Sequence, residues 1–216
     1  MAITAQSIIQ RVATTLQDTS AVRWATNELV RYLNDGQREA VILRPDATIT
    51  NGTMALVAGA KQTLPAGVSR LVEVIRNTSG RVVRLTTRFI LDAQKPNWYT
   101  STASNTILHY MYDPRDPQIF YVYPPAHTAA SLEIVYSALP TDVAEPAAGT
   151  TYTSVTGNID LPDTYANALV DYVLYRALTK DSEVAANAQR AVAHFEAFKA
   201  ALATELSGAT GMAPRK

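Results

Sequence analysis

Apolar side chains recur at helical spacing near both ends of the chain and alternate in between. Ile8, Val12 and Leu16 fall every fourth residue and predict a first helix. Asp18 to Arg23 breaks that pattern. A second helix is expected from Thr26, read as its N-cap, with Leu29, Leu33, Ala40 and Val41 on the buried side. It must end by Arg44, because Pro45 disfavours helix in the residue before it. Asn34, Asp35, Gly36 and Gln37 interrupt its apolar stripe, and Gly36 costs about 1 kcal/mol relative to Ala. Either Gly36 admits another helix closely or the helix kinks there.

From Ala47 to Thr156 the pattern predicts an all-β region: short alternating runs separated by Pro, Gly, Asn and Asp. Strands are expected at 54–57, 68–75, 81–85, 107–112, 118–123 and 132–136. Turns are expected at Asn77-Thr78-Ser79-Gly80 and Asp113-Pro114-Arg115-Asp116-Pro117. The hairpin around that second turn carries Phe120 and Val122 on one face and Ile119, Tyr121 and Tyr123 on the other, so both faces need cover. Residues 140–157 read as a long exposed loop.

Leu161-Pro162-Asp163 then opens a helix, with Pro and an acid in the first turn. Tyr165, Leu169, Val173 and Ala177 share its face. After a break near Lys180-Asp181, a helix from Ser182 to Leu206 is expected with Val184, Ala188, Val192, Phe195, Leu202 and Leu206 on one side. The expected organisation is therefore 1–46 helical, 47–157 β-rich, 158–206 helical and 207–216 a flexible tail.

Composition narrows the function classes. The 216 residues carry 19 basic and 19 acidic side chains, a formal net charge of zero. That argues against a protein whose task is to grip phosphates or an anionic membrane. No apolar run approaches a membrane span, and MAITAQSIIQRVATTL lacks the basic and apolar regions of a secretory signal. With no cysteine, thiolate metal sites and cysteine nucleophiles are excluded. Tyr (11) outnumbers Phe (4) and Trp (2), and Arg outnumbers Lys 14 to 5. Both favoured types are enriched where proteins meet.

Candidate chemistry is thin. His109, His127 and His194 lie far apart, without metal-ligand spacing. Asp113 and Asp116 could form a carboxylate pair, although a tight turn alone calls for both residues. No nucleophile elbow, phosphate loop or dinucleotide fingerprint occurs. Asn51-Gly52-Thr53 and Asn77-Thr78-Ser79 match glycosylation sequons by chance. Arg70, Arg76, Arg81, Arg84 and Arg88 form a basic band with one acid, Glu73. It could meet phosphates, or acids such as Asp163, Asp171 and Asp181 of a neighbouring copy, or simply guard strand edges.

An ordered set of segments resembles the head-to-tail adaptor proteins of tailed bacteriophages. It begins with Trp24, Leu29 and Leu33-Asn34-Asp35-Gly36-Gln37-Arg38-Glu39, followed by Arg44-Pro45-Asp46-Ala47. Leu64-Pro65-Ala66-Gly67 before Arg70-Leu71 comes next, then Asp116-Pro117-Gln118-Ile119-Phe120-Tyr121-Val122-Tyr123-Pro124-Pro125 and Leu132-Glu133-Ile134-Val135-Tyr136-Ser137. It closes with Leu161-Pro162-Asp163, Tyr165, Ala168-Leu169-Val170-Asp171-Tyr172, Tyr175-Arg176-Ala177-Leu178 and Lys180-Asp181.

The resemblance implies an α+β fold: a helical bundle formed by N-terminal and C-terminal helices, with an inserted antiparallel β domain. It implies a structural virion protein at the head–tail junction, made in the host cytoplasm, with no catalytic role, cofactor, metal or membrane. About twelve copies would form a ring that closes by rotation. Its partners would be the portal protein, a tail nozzle or tail tube protein, and double-stranded DNA passing through the lumen without tight binding. Candidate contact residues are Arg70, Arg76, Arg81, Arg84, Arg88, Asp163, Asp171, Tyr121 and Tyr123. The alternatives are a DNA-binding module using the Arg70–Arg88 band and a virion-associated glycan hydrolase using Asp113, Asp116 or His109.

Overall fold

The computed structural model describes residues 3–181, 183 and 185–211, with Ala185 and 204–211 as backbone only. The fold is α+β. It divides into two compact units, one made of residues up to Ala47 and from Pro140 onward, the other of Thr48–Leu139.

The helical unit contains α1 (Ala5–Thr15), α2 (Thr26–Leu43), α4 (Ala166–Lys180) and α5 (Ala185–Gly211). Helices from both ends of the chain share one core, in which Ile8, Val12, Trp24, Leu29, Leu33, Leu169, Val173 and Phe198 are buried together. The N-cap of α2 is Ala25, one residue before the expected Thr26. The Thr26 hydroxyl instead donates to the Thr150 carbonyl at 2.6 Å. Helix α2 runs through Gly36, because Gly36 faces Tyr172 of α4 with no room for a β-carbon. Close approach, not a kink, is its role.

Residues 140–157 differ from the expected exposed loop. Val143 and Val155 are buried in the helical core, and the segment lies in the helical unit. Two buried amides of α2 hold this strap. Asn34 donates to the Val143 carbonyl and accepts from its N–H at 3.0 and 2.9 Å, and Gln37 accepts from the Asp160 N–H at 2.8 Å. These polar residues interrupt the apolar stripe because they satisfy a buried main chain.

Helix α4 follows a single 3₁₀ turn at Asp163–Tyr165. In α5 the buried side is Ala191, Phe198 and Leu202, whereas Val192, expected inside, is 63% exposed. The aromatic pair fixes this rotation: Phe198 lies 5.0 Å from Tyr172 and Phe195 4.7 Å from Tyr175, both edge-on or tilted. Helix α5 continues to Gly211. Of the expected tail, 207–211 is therefore helical and 212–216 lies outside the described residues, as do Ser182 and Val184.

The β unit holds two sheets. One has the order β1 (Ile49–Ala55), β7 (Ser131–Ala138), β3 (Val68–Asn77). The other has the order β2 (Gly59–Thr63), β6 (Ile119–Ala126), β5 (His109–Tyr112), β4 (Arg84–Leu85). All pairs are antiparallel except β4–β5, which is parallel. Phe120, Val122 and Tyr110 from the second sheet meet Leu132, Ile134, Leu71 and Val74 from the first in a common core. The region is not all β. Helix α3 (Arg88–Gln94), capped by the Thr87 hydroxyl, and a 3₁₀ turn at Trp98–Thr100 cover the outer face of β6. The expected strand at 81–85 shrinks to two residues plus a bridge from Val82 to Arg76.

Candidate functional site

The singled-out residues divide between the two units. In the helical unit, the Asp163 carboxylate accepts from the Ile3 N–H at 2.8 Å. Asp171 pairs with His194 Nδ1 at 2.9 Å, and Asp181 with Arg23 and Asn187. All three acids thus have partners within their own unit.

In the β unit the five arginines are spread over β3, a turn, β4 and α3. Arg76 donates to Glu133 on β7 at 2.5 Å, and this bond together with one from Asn51 holds the Glu133 carboxyl below the usual range. Arg88 faces Asp92 one helical turn on, at 3.5 Å. Among the described residues Arg70, Arg81 and Arg84 have no ion pair. The structure brings Arg81 and Arg84 together beside His109 around a cleft of about 250 Å³. Arg88 instead borders a larger groove of about 520 Å³ with Leu85, Tyr112, Asp113, Arg115 and Tyr121.

Tyr121 and Tyr123 point from β6 into the cover supplied by α3. Tyr121 meets Trp98 edge-on at 6.2 Å, and the Lys95 ammonium donates to the Tyr123 hydroxyl at 2.6 Å. The residues around them include apolar side chains that the sequence reading did not single out: Leu85 is 65%, Phe89 81% and Tyr99 50% exposed. The available signal was Thr87 ahead of Arg88-Phe89-Ile90-Leu91, a capped short helix with more apolar residues than one face can bury.

Two of the enzymatic candidates, Asp113 and Asp116, have ordinary structural duties in one turn. Arg115 donates to Asp113 through both guanidinium and main chain, lowering that carboxyl to about 2. A carboxyl so firmly ionised has no proton to give at neutral pH. Asp116 closes the same turn through its N–H to the Asp113 carbonyl at 3.0 Å. His109 stacks on Tyr123 at 6.4 Å. No group of three or more His, Asp or Glu able to hold a metal is found among the described residues.

What the surface offers is therefore contact area, arginines and exposed aromatics. Residues 3–215 match the SU10 adaptor protein family. The chain belongs to that family. It is a family of phage head–tail adaptors, structural proteins and not enzymes, which makes this adaptor a virion component. No curated protein matches the chain. No helix among the described residues is long and apolar enough to cross a membrane.

Proposed function

We propose that this adaptor forms a ring of about twelve copies that joins the portal of the phage head to the tail and lines part of the DNA conduit. The family match from residue 3 to residue 215 carries this reading. Surface chemistry supports it. Phe89 and Leu85 stand in solvent beside Arg84 and Arg88, the pairing of exposed apolar and arginine side chains typical of protein interfaces. A net charge of zero suits a channel wall, since each phosphate contact would hold the passing DNA.

Among the candidate contact residues, Arg70, Arg81 and Arg84 are the strongest, being exposed and without an ion pair among the described residues. Arg76 and Arg88 already face acids, which weakens the reading of the band as a DNA grip. The test is negative-stain imaging of the protein mixed with its portal. A ring seated on the portal is expected. A protein that stays monomeric beside bare portals, or one missing from purified virions, overturns the proposal.

A further inference from the structure

The formal net charge of zero hides a division. The β unit, Thr48–Leu139, carries eight basic and five acidic side chains, a net charge of +3. The helical unit carries eleven basic and fourteen acidic ones, a net charge of −3. Between two copies, unlike units therefore attract and like units repel.

On the β unit the unpaired charge gathers in the cleft of Arg81 and Arg84. Val82, Leu108 and His109 complete its lining, and no acid among the described residues joins them. Pairing of β4 with β5 sets Arg84 in register with His109. Both arginines are exposed and lack an ion pair among the described residues. Two guanidiniums in one cleft repel until an anion joins them, and their planar forks match a carboxylate. Val82 and Leu108 offer apolar walls to the carbon stem of such a side chain. A phosphate backbone asks for a run of cations, whereas Arg76 and Arg88 are already held by Glu133 and Asp92.

The helical unit holds the complement. Its exposed acids Asp142, Glu145 and Glu196 face Arg38, Arg31 and Lys199. Glu183, in the turn between α4 and α5, is exposed and has no hydrogen bond or ion pair among the described residues. We infer that the Arg81–Arg84 cleft of one copy binds the Glu183 carboxylate of a second copy. The inference rests on the ring reading and names a contact within it. Two β units, both positive, would not meet this way. Each copy gives its cleft to one neighbour and its Glu183 to the other, the head-to-tail pattern that closes into a ring.

Two variants reverse one side each: R81E/R84E makes the cleft acidic, and E183K makes the turn basic. Each should melt like wild type yet, mixed with the portal, give at least about tenfold fewer rings. Mixed in equal amounts, the two should restore the wild-type ring yield, because opposite charges meet at every contact of an alternating ring. A contact of either side with portal, tail or DNA gives no such rescue. Either variant assembling like wild type, or a mixture as poor as its parts, overturns the inference and leaves the ring standing. Absence of rings from wild type removes both. A second arm keeps every charge. The chain has no cysteine, so in V82C/A186C a short bis-maleimide reacts only beside the cleft and beside Glu183. Rings built from equal amounts of heavy-isotope and unlabelled copies should yield mixed-isotope peptides linking positions 82 and 186. Rings that yield none also overturn the inference.

Discussion

A β-carbon on Gly36 would stand 2.8 Å from Cδ1 of Tyr172, closer than two carbons can sit. Gly36 is thus the point at which α2 and α4 touch, and both flanking side chains of the contact are buried. Replacing it with Ala returns about 1 kcal/mol of helix propensity but forces a methyl group into a filled space, at about 1–3 kcal/mol. G36A should therefore destabilise the protein by up to about 2 kcal/mol in urea unfolding. A stabilised G36A protein would show that the two helices separate without cost.

The strap at 140–160 depends on Asn34. Its amide makes a two-way bond with Val143 in a buried setting. An N34D carboxylate sets an acceptor against the Val143 carbonyl and leaves it unpaired, at about 2–3 kcal/mol. Hydrogen exchange should rise across 141–160 before it rises in α1 or α4. Uniform loosening of the whole unit would contradict a local fastening.

Much of this architecture was legible because helices with one buried face repeat every three or four residues. Ile8 and Val12, Leu29 and Leu33, and Leu169 and Val173 all share one core as their spacing predicts. What period cannot show is contact with a non-periodic segment. Asn34 and Gln37 looked like interruptions of a stripe, yet they are the groove into which the strap fits. α3 was hidden because Phe89 and Ile90 remain exposed and seven residues give barely two turns. In α5, alanines on every side left the choice of buried face to Phe195 and Phe198, whose partners Tyr175 and Tyr172 lie on another helix. The contact residues are less legible still, since an interface is defined by what covers it. The sequence could offer arginines and tyrosines, and only the fold separates those with internal partners from those without.

Tyr32 and Glu28 make the helical unit sensitive at alkaline pH. Burial and the hydroxyl's bond to Glu28 at 2.7 Å raise the Tyr32 phenol to about 12. A raised phenol stabilises the fold fully below its unfolded value of about 10, and that contribution disappears as pH climbs through the folded value. Ultraviolet titration should show a tyrosine still protonated above pH 11, near the about 12 expected for Tyr32. E28Q should bring that titration downward. The partner responds at the other end of the scale: burial works to raise Glu28, but Lys180 and Tyr32 outweigh it and hold its carboxyl below the ordinary range. Its contribution is therefore present above the unfolded value of about 4.3 and lost as pH falls through the folded one.

Arg44 ends α2 with its side chain only 7% exposed. Its guanidinium donates to the Leu202 carbonyl of α5 at 2.7 Å and to both oxygens of Asp46 at 3.0 and 2.6 Å. One planar group thus fastens the N-terminal helices to the C-terminal one, and its flat fork has no equal in lysine. R44K keeps the charge but cannot reach both partners, so it should still cost about 1–2 kcal/mol. R44A leaves the buried Leu202 carbonyl without its guanidinium donor and should cost about 2–3 kcal/mol. In either variant, exchange at the amides around Leu202 should rise further than in the β unit. If R44K melts like wild type, a point charge suffices at this position and the fork geometry contributes nothing.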